Sequence, residues 1–198
     1  MKQCNPATEP TSLEWCTGQT NTPGIRPKVF FIPKGSIVKF PTLPTEIPTS
    51  GSMGDLATYV GSFKLVAEKK WKSMDILSDK SPATAESQGS KPSKTYLNQA
   101  VIVVPNADAE SAGLSKLAAN DDYVYLIQQR NGTYRVIGNE MFQTNTDVTL
   151  SLGSDPTGDE MGTTITPSCT DVCHFPIYMG EIVTEDGTIN PDEQTGGA

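Results

Sequence analysis

Histidine is almost missing from this chain. His174 is the one imidazole in 198 residues, so a mechanism that needs a histidine base has a single candidate. No Gly-x-Ser-x-Gly elbow exists to partner it, and there is no phosphate-binding glycine loop, dinucleotide fingerprint or His-Glu-x-x-His. Basic clusters are lacking beyond Lys69-Lys70, and the formal net charge is −8 with a pI near 4.6. Such a surface repels nucleic acid rather than gripping it. No apolar run approaches the roughly 18–20 residues that span a bilayer, and the first ten residues, MKQCNPATEP, lack the apolar core of a signal peptide. The expectation is a chain made in the cytosol with no membrane partner. No internal repeat of fixed period occurs, which excludes solenoids and propellers.

Cysteine is scarce and unevenly placed. Cys4 and Cys16 lie near the start with eleven residues between them, and Cys169 and Cys173 lie near the end with His174 directly after. Cys169, Cys173 and His174 are therefore the metal candidates, since Cys-x3-Cys is close to zinc-ligand spacing. The first pair sits in a Pro/Thr-rich segment, so free thiols are the expectation and no metal or cofactor is assigned. Cys173 beside His174 could suggest a thiol nucleophile, but neighbours on a strand point to opposite faces. No catalytic residue, and no enzyme, is expected. Acidic pairs at Asp121-Asp122, Asp155 with Asp159-Glu160, and Glu185-Asp186 lack the repeated Asp-x-Asp rhythm of a calcium loop and read as solvated turns.

Apolar residues make up 36% of the chain and aromatics 7%, while Gly (17) and Pro (15) are frequent. This loop-rich balance suits one domain that needs partners to cover what it exposes. Residues 1–27, with Pro6, Pro10, Pro23 and Pro27, read as an extended arm. Residues 28–184 read as one β-rich domain, and 185–198 as a polar tail. Within the domain, Lys28–Ile32 and Ser36–Phe40 predict a hairpin, 41–54 a loop, and Tyr59–Glu68 and Trp71–Leu77 half-buried strands, the last with some helical character. Residues 78–94 hold no large apolar side chain and predict a long exposed loop.

The centre is the most legible part. Residues 100–104 are a β-branched run stopped by Pro105-Asn106, 107–119 are rich in helix formers, and Asp122–Arg130 returns to the strand pattern. Asn131-Gly132, read as a type I′ turn rather than a glycosylation site, then leads into Thr133–Gly138. Thr146–Leu152, Thr163–Thr166 and Phe175–Thr184 supply later strands, with Gly153–Gly162 and Asp186-Gly187 as turns. The sum is about eight to ten strands and one helix. Trp71, Tyr96, Tyr123, Tyr125, Tyr134, Phe142 and Phe175 are read as core or interface anchors.

Several of these segments resemble the tail-tube proteins of tailed bacteriophages, particularly those from phages of Bacteroidetes hosts. The likeness lies in Pro23-Gly24-Ile25 leading into Lys28–Ile32, Gly61–Leu65 with Trp71, Glu86–Gly89, Tyr123–Ile127, Arg135–Gly138 and Gly162–Pro167. It spans roughly 23–184; the late cysteines and the proline-rich loop depart from it. The resemblance implies a β-sandwich or barrel-like subunit with one flanking helix, closing into rings of six copies or a higher multiple. DNA would pass through the lumen without specific binding, among other tail or connector proteins, in the virion tail. An alternative from the residues is a β-sandwich module binding carbohydrate or peptide through an exposed aromatic platform containing Trp71 or Tyr134.

Overall fold

The run Tyr123–Ile127 is buried at every position, which requires a strand covered on both faces. The computed structural model, which describes residues 10–48, 51–155, 157 and 161–190, shows how. Its strands in chain order are β1 (Ile25–Pro33), β2 (Ile37–Lys39), β3 (Lys64–Leu65), β4 (Lys72–Asp75), β5 (Ala83–Gln88), β6 (Thr95–Ala100) and β7 (Ile102–Val104). The α-helix α1 (Ala109–Ala118) precedes β8 (Tyr123–Gln129), β9 (Tyr134–Ile137), β10 (Thr144–Ser151), β11 (Gly162–Asp171), β12 (Ile177–Tyr178), β13 (Ile182–Thr184) and β14 (Gly187–Ile189). The fold is mainly β with one α-helix among the described residues.

A first sheet has the order β12-β9-β8-β1-β4 and a second the order β10-β11-β6-β5, with β7 also on β11. Alternate side chains of the first sheet serve two cores. Val29, Tyr125, Ile127 and Ile137 meet Ala100, Ile102, Ile165 and Cys169 of the second sheet. Phe30, Ile32, Val124, Leu126 and Val136 meet Tyr59, Phe63, Trp71 and Ile182, which arrive on loops and short strands. A continuous apolar strand is thus a central strand between two apolar layers. Helix α1 starts where Asp108 accepts a hydrogen bond from the Ser111 N–H at 2.8 Å, and packs Leu114 and Ala118 onto the inner core.

Several sequence expectations are corrected. Strand β1 begins at Ile25, inside the expected arm, because Ile25 pairs with Gln129; residues 10–24 carry no strand or helix, and 1–9 lie outside the described residues. The expected hairpin of Lys28–Ile32 with Ser36–Phe40 does not form. β1 pairs with β8 and β4, which occupy both its edges, and β2 turns away to β3. Tyr59–Glu68 yields only β3, since Gly61 and Glu68 take positive φ (85° and 66°) and Val60 is 61% exposed. Trp71–Leu77 is a strand with no helix.

The expected loop 78–94 contains β5. Its small residues Ala83, Thr84 and Ala85 form an unbroken backbone ladder on β6, and pairing needs no large apolar side chain. The run at 100–104 starts earlier, at Thr95, and breaks at Val101, whose N–H goes to the Pro82 carbonyl at 2.8 Å. Pro167, which has no N–H to donate, sits on β11 beside this break. β11 therefore runs ten residues rather than the expected four.

At the tip of β8 and β9 the Gly132 N–H bonds the Gln129 carbonyl and the Gln129 N–H bonds Thr133. Gly132 has φ +99° whereas Asn131 is not left-handed. The turn is a three-residue loop, a type I turn closed by a glycine bulge, and not type I′, which needs φ > 0 at both central residues. Phe175–Thr184 splits into β12 and β13, separated by Met179-Gly180-Glu181, and the expected tail holds β14; 191–198 lie outside the described residues. Asp159 and Glu160 also lie outside them.

Candidate functional site

The expected candidates converge on the segment that follows β11. Cys169 is 2% exposed and faces the inner core. The buried Asn139 amide donates to the Thr170 carbonyl at 2.8 Å and reaches the Cys169 sulfur at 3.6 Å. Burial pushes the Cys169 thiol up, so it is held protonated. Cys173 is half-buried, its thiol also raised by burial, and its Sγ–H is directed at the His174 carbonyl. Cys16, Cys169 and Cys173 are free thiols; Cys4 lies outside the described residues. The structure does not bring Cys169, Cys173 and His174 together as ligands: among the described residues no group of three His, Cys, Asp or Glu side chains could hold a metal ion.

What does converge is a cleft at one end of the sandwich. It has a volume of about 490 Å³ and is lined among others by Gly24, Pro82, Gln129, Arg135, His174 and Phe175. The loop Cys173-His174-Phe175 is pinned by Asn98, only 1% exposed, whose side-chain amide donates to the Cys173 carbonyl and accepts from the Phe175 N–H, both at 3.0 Å. Phe175 consequently takes φ +39°, a left-handed conformation that costs a non-glycine residue about 1–3 kcal/mol unless its surroundings impose it. His174 is exposed, and its ring lies on Tyr96 with centroids 3.8 Å apart.

Arg135 forms the other wall. Its Nε donates to Gln129 Oε1 at 3.0 Å and its Nη1 to the Phe175 carbonyl at 2.9 Å. These bonds fix the guanidinium plane, yet neither acceptor is charged, and Arg135 is in no ion pair among the described residues. Burial holds it below the usual arginine range, with the Cys173 sulfur as the opposing influence. The described ion pairs are Lys34 with Asp122, Lys72 with Glu185, and Arg130 with Asp79. Asp122 and Glu185 are therefore tied, not simply solvated as expected; Asp122 also accepts the Thr144 N–H at 2.8 Å.

A buried acid lies behind the loop. Asp171 is 2% exposed; its Oδ1 accepts the Val172 N–H at 2.7 Å and its Oδ2 meets no hydrogen-bond criterion with any described residue. Burial pushes this carboxyl up, against the pull of the Asn139 amide and the backbone N–H groups of Val172 and Cys173. Asp171 in turn contributes to the rise at Tyr59, where burial is the larger cause.

The platform expected of a carbohydrate- or peptide-binding module is not where those residues were placed. Trp71 is 1% exposed and Tyr134 6%, and Trp71 packs edge-on against Phe63 at 5.4 Å. Trp15, in the arm, is instead 66% exposed. Arg135, Gln129 and Asn98 were missed by sequence reasoning, and no motif joins them. No helix among the described residues is long and apolar enough to cross a membrane. No protein-family model, curated protein or solved structure matches the chain.

Proposed function

We propose that this chain is a structural virion subunit that assembles into rings of a bacteriophage tail, either tube or tail ring, with DNA passing through the lumen. The observation that carries the reading is the pair of open edges on the second sheet. Strand β10 is eight residues long and β5 six; both pair in unbroken register on one side and have no strand among the described residues on the other. Natural monomers blunt such edges with lysine, proline or bulges. Neither β10 (TNTDVTLS) nor β5 (ATAESQ) has any of these; each carries a single acid, Asp147 or Glu86, and of the two edges α1 packs near β10 alone. The first sheet is protected by contrast, ending in the two-residue β12 and in β4 with Lys72.

Strand direction alternates across β10-β11-β6-β5, each neighbouring pair antiparallel. A copy related by rotation about an axis along the strands presents its β10 antiparallel to β5 of the first. Repetition of that step closes a cylinder without leaving an edge. The outward face of the second sheet is compatible with such a lumen. Asn145, Asp147, Thr149, Thr164, Thr166, Ser168, Thr170, Thr84 and Glu86 share it by register, with no lysine or arginine on these strands. A hydroxyl-rich, weakly acidic wall gives DNA phosphates nothing to grip.

The test is the mass of the purified protein in solution as concentration rises, with negative-stain imaging of the same samples. Rings or tubes are expected. A monodisperse monomer at every concentration overturns the proposal.

A further inference from the structure

The arm and the cleft each lack something the other has. In the arm, Leu13 is 88% and Trp15 66% exposed, with Glu14 between them, so two large apolar side chains stand in water on a segment with no strand or helix to bury them. In the cleft, Pro82, Ala83 and Phe175 offer an apolar wall, and the Arg135 guanidinium is oriented by two neutral acceptors with no carboxylate paired to it among the described residues. An apolar–acidic–apolar tripeptide fits a cleft with one half-buried cation and apolar sides. The volume of about 490 Å³ admits side chains of this size.

The arm does not lie in its own cleft. It leaves β1 at Gly24, on the cleft rim, and runs along the hairpin tip, where Trp15 and residues 19–22 share a separate groove with Arg130 and Asn131. Gly24 has φ +96°, and a Cβ there would lie 3.1 Å from Arg130 Nε, so the chain turns away at this residue. In an assembly, cleft and arm of adjacent copies are both available.

Resting on the ring reading above, we propose that the cleft receives Leu13-Glu14-Trp15 from the arm of a second copy, with the Glu14 carboxylate bonded to Arg135 and the flanking side chains against Pro82 and Phe175. Arg135, His174 and the Asn98-pinned loop then form an inter-subunit socket. The same seating brings Cys16, two residues beyond Glu14, toward Cys173, on the cleft loop.

A labelled peptide covering residues 10–20, with Ser for Cys16, is titrated into the full-length protein and followed by fluorescence anisotropy. Saturable binding is expected, weakened tenfold or more by Glu14→Gln in the peptide or by Arg135→Gln in the protein. Binding unaffected by Glu14→Gln, or no binding, overturns the proposal; because that substitution is in the peptide, folding of a variant cannot confuse the result. In parallel, the full-length Cys4→Ser protein is oxidised with copper phenanthroline. Covalent dimers linked Cys16 to Cys173, reduced several-fold by Glu14→Gln, support it; an intramolecular link, or dimers indifferent to Glu14→Gln, oppose it. Rings that persist without either signal leave the assembly reading intact and remove only the socket. Peptide binding by a protein that stays monomeric supports the socket and removes the ring.

Discussion

Asp171 is a carboxyl whose surroundings oppose its charged form. Its carboxyl is raised by burial, so the folded chain holds this proton more tightly than the unfolded one. The sign follows: the stability linked to Asp171 is present in full below the unfolded carboxyl range and is lost as pH rises through the raised folded value. Asp171→Asn keeps an acceptor for the Val172 N–H and removes the buried charge. It should stabilise the protein by on the order of 1 kcal/mol at pH 8, about 2–4 °C in a chain of this size. The gain should vanish near pH 3. Thermal melts of both proteins across that range check it; a constant difference with pH would point to packing instead of ionisation. Asn98 makes the opposite case, a buried polar group with both functions used. Asn98→Ala strands the Cys173 carbonyl and the Phe175 N–H, and should cost about 1–3 kcal/mol. It should also release the strained loop, so that Cys173 alkylates faster while Cys169 stays protected, a contrast that peptide mapping after thiol labelling would show.

At the scale of elements, β8 is the strand on which both cores depend. Leu126 has no exposed surface and faces Trp71, Phe63 and Ile182 through the outer core. Leu126→Ala should cost about 2–5 kcal/mol, read from denaturant midpoints. The strand was legible from five consecutive apolar, β-favouring residues, but its burial on both faces was not, because the second apolar layer arrives on distant loops and short strands. Helix α1 was legible to within two residues at its start, from its helix formers and the Asp108 cap. Strand β5 was not, because ATAESQ has neither alternation nor bulk, and its ladder is dictated by the bent β6–β7 segment and by the Pro82 carbonyl that receives Val101. The cleft was legible in part. Cys173 and His174 stood out as chemistry-bearing residues, but what shapes their loop is Asn98, 75 residues away in the chain, and Arg135, 40 residues from the carbonyl that it holds. Contacts at such separation leave no local spacing to read. The open edges are likewise visible only once the strand order is known, and they make a direct prediction. Thr149→Glu on β10 or Thr84→Glu on β5 changes an exposed side chain without touching either core. Each should leave the melting temperature within about 0.5 kcal/mol of the parent in free-energy terms, yet hold the protein as a monomer by sedimentation, because a charged edge resists pairing.

The whole molecule carries a charge of −8, and every association between copies must overcome that repulsion. Two kinds of contact are available and they answer differently to salt. Edge pairing of β10 with β5 is backbone hydrogen bonding between strands whose own charged residues, Asp147 and Glu86, have the same sign. Salt should strengthen it. A Glu14–Arg135 contact is an attraction between opposite charges, and salt should weaken it unless the pair is desolvated. The balance decides the direction for the intact protein. With one attractive pair per interface set against the net repulsion of whole subunits, self-association should rise as ionic strength increases from about 0.05 to 0.5 M, where the Debye length falls well below the roughly 10 Å found at 0.1 M. Sedimentation velocity at several salt concentrations reads this directly. In Glu14→Gln the same rise should persist and be steeper, since the one salt-sensitive attraction is gone. Association that falls with salt in the parent but not in Glu14→Gln would place the arm, and not the sheet edges, as the contact that holds the copies together.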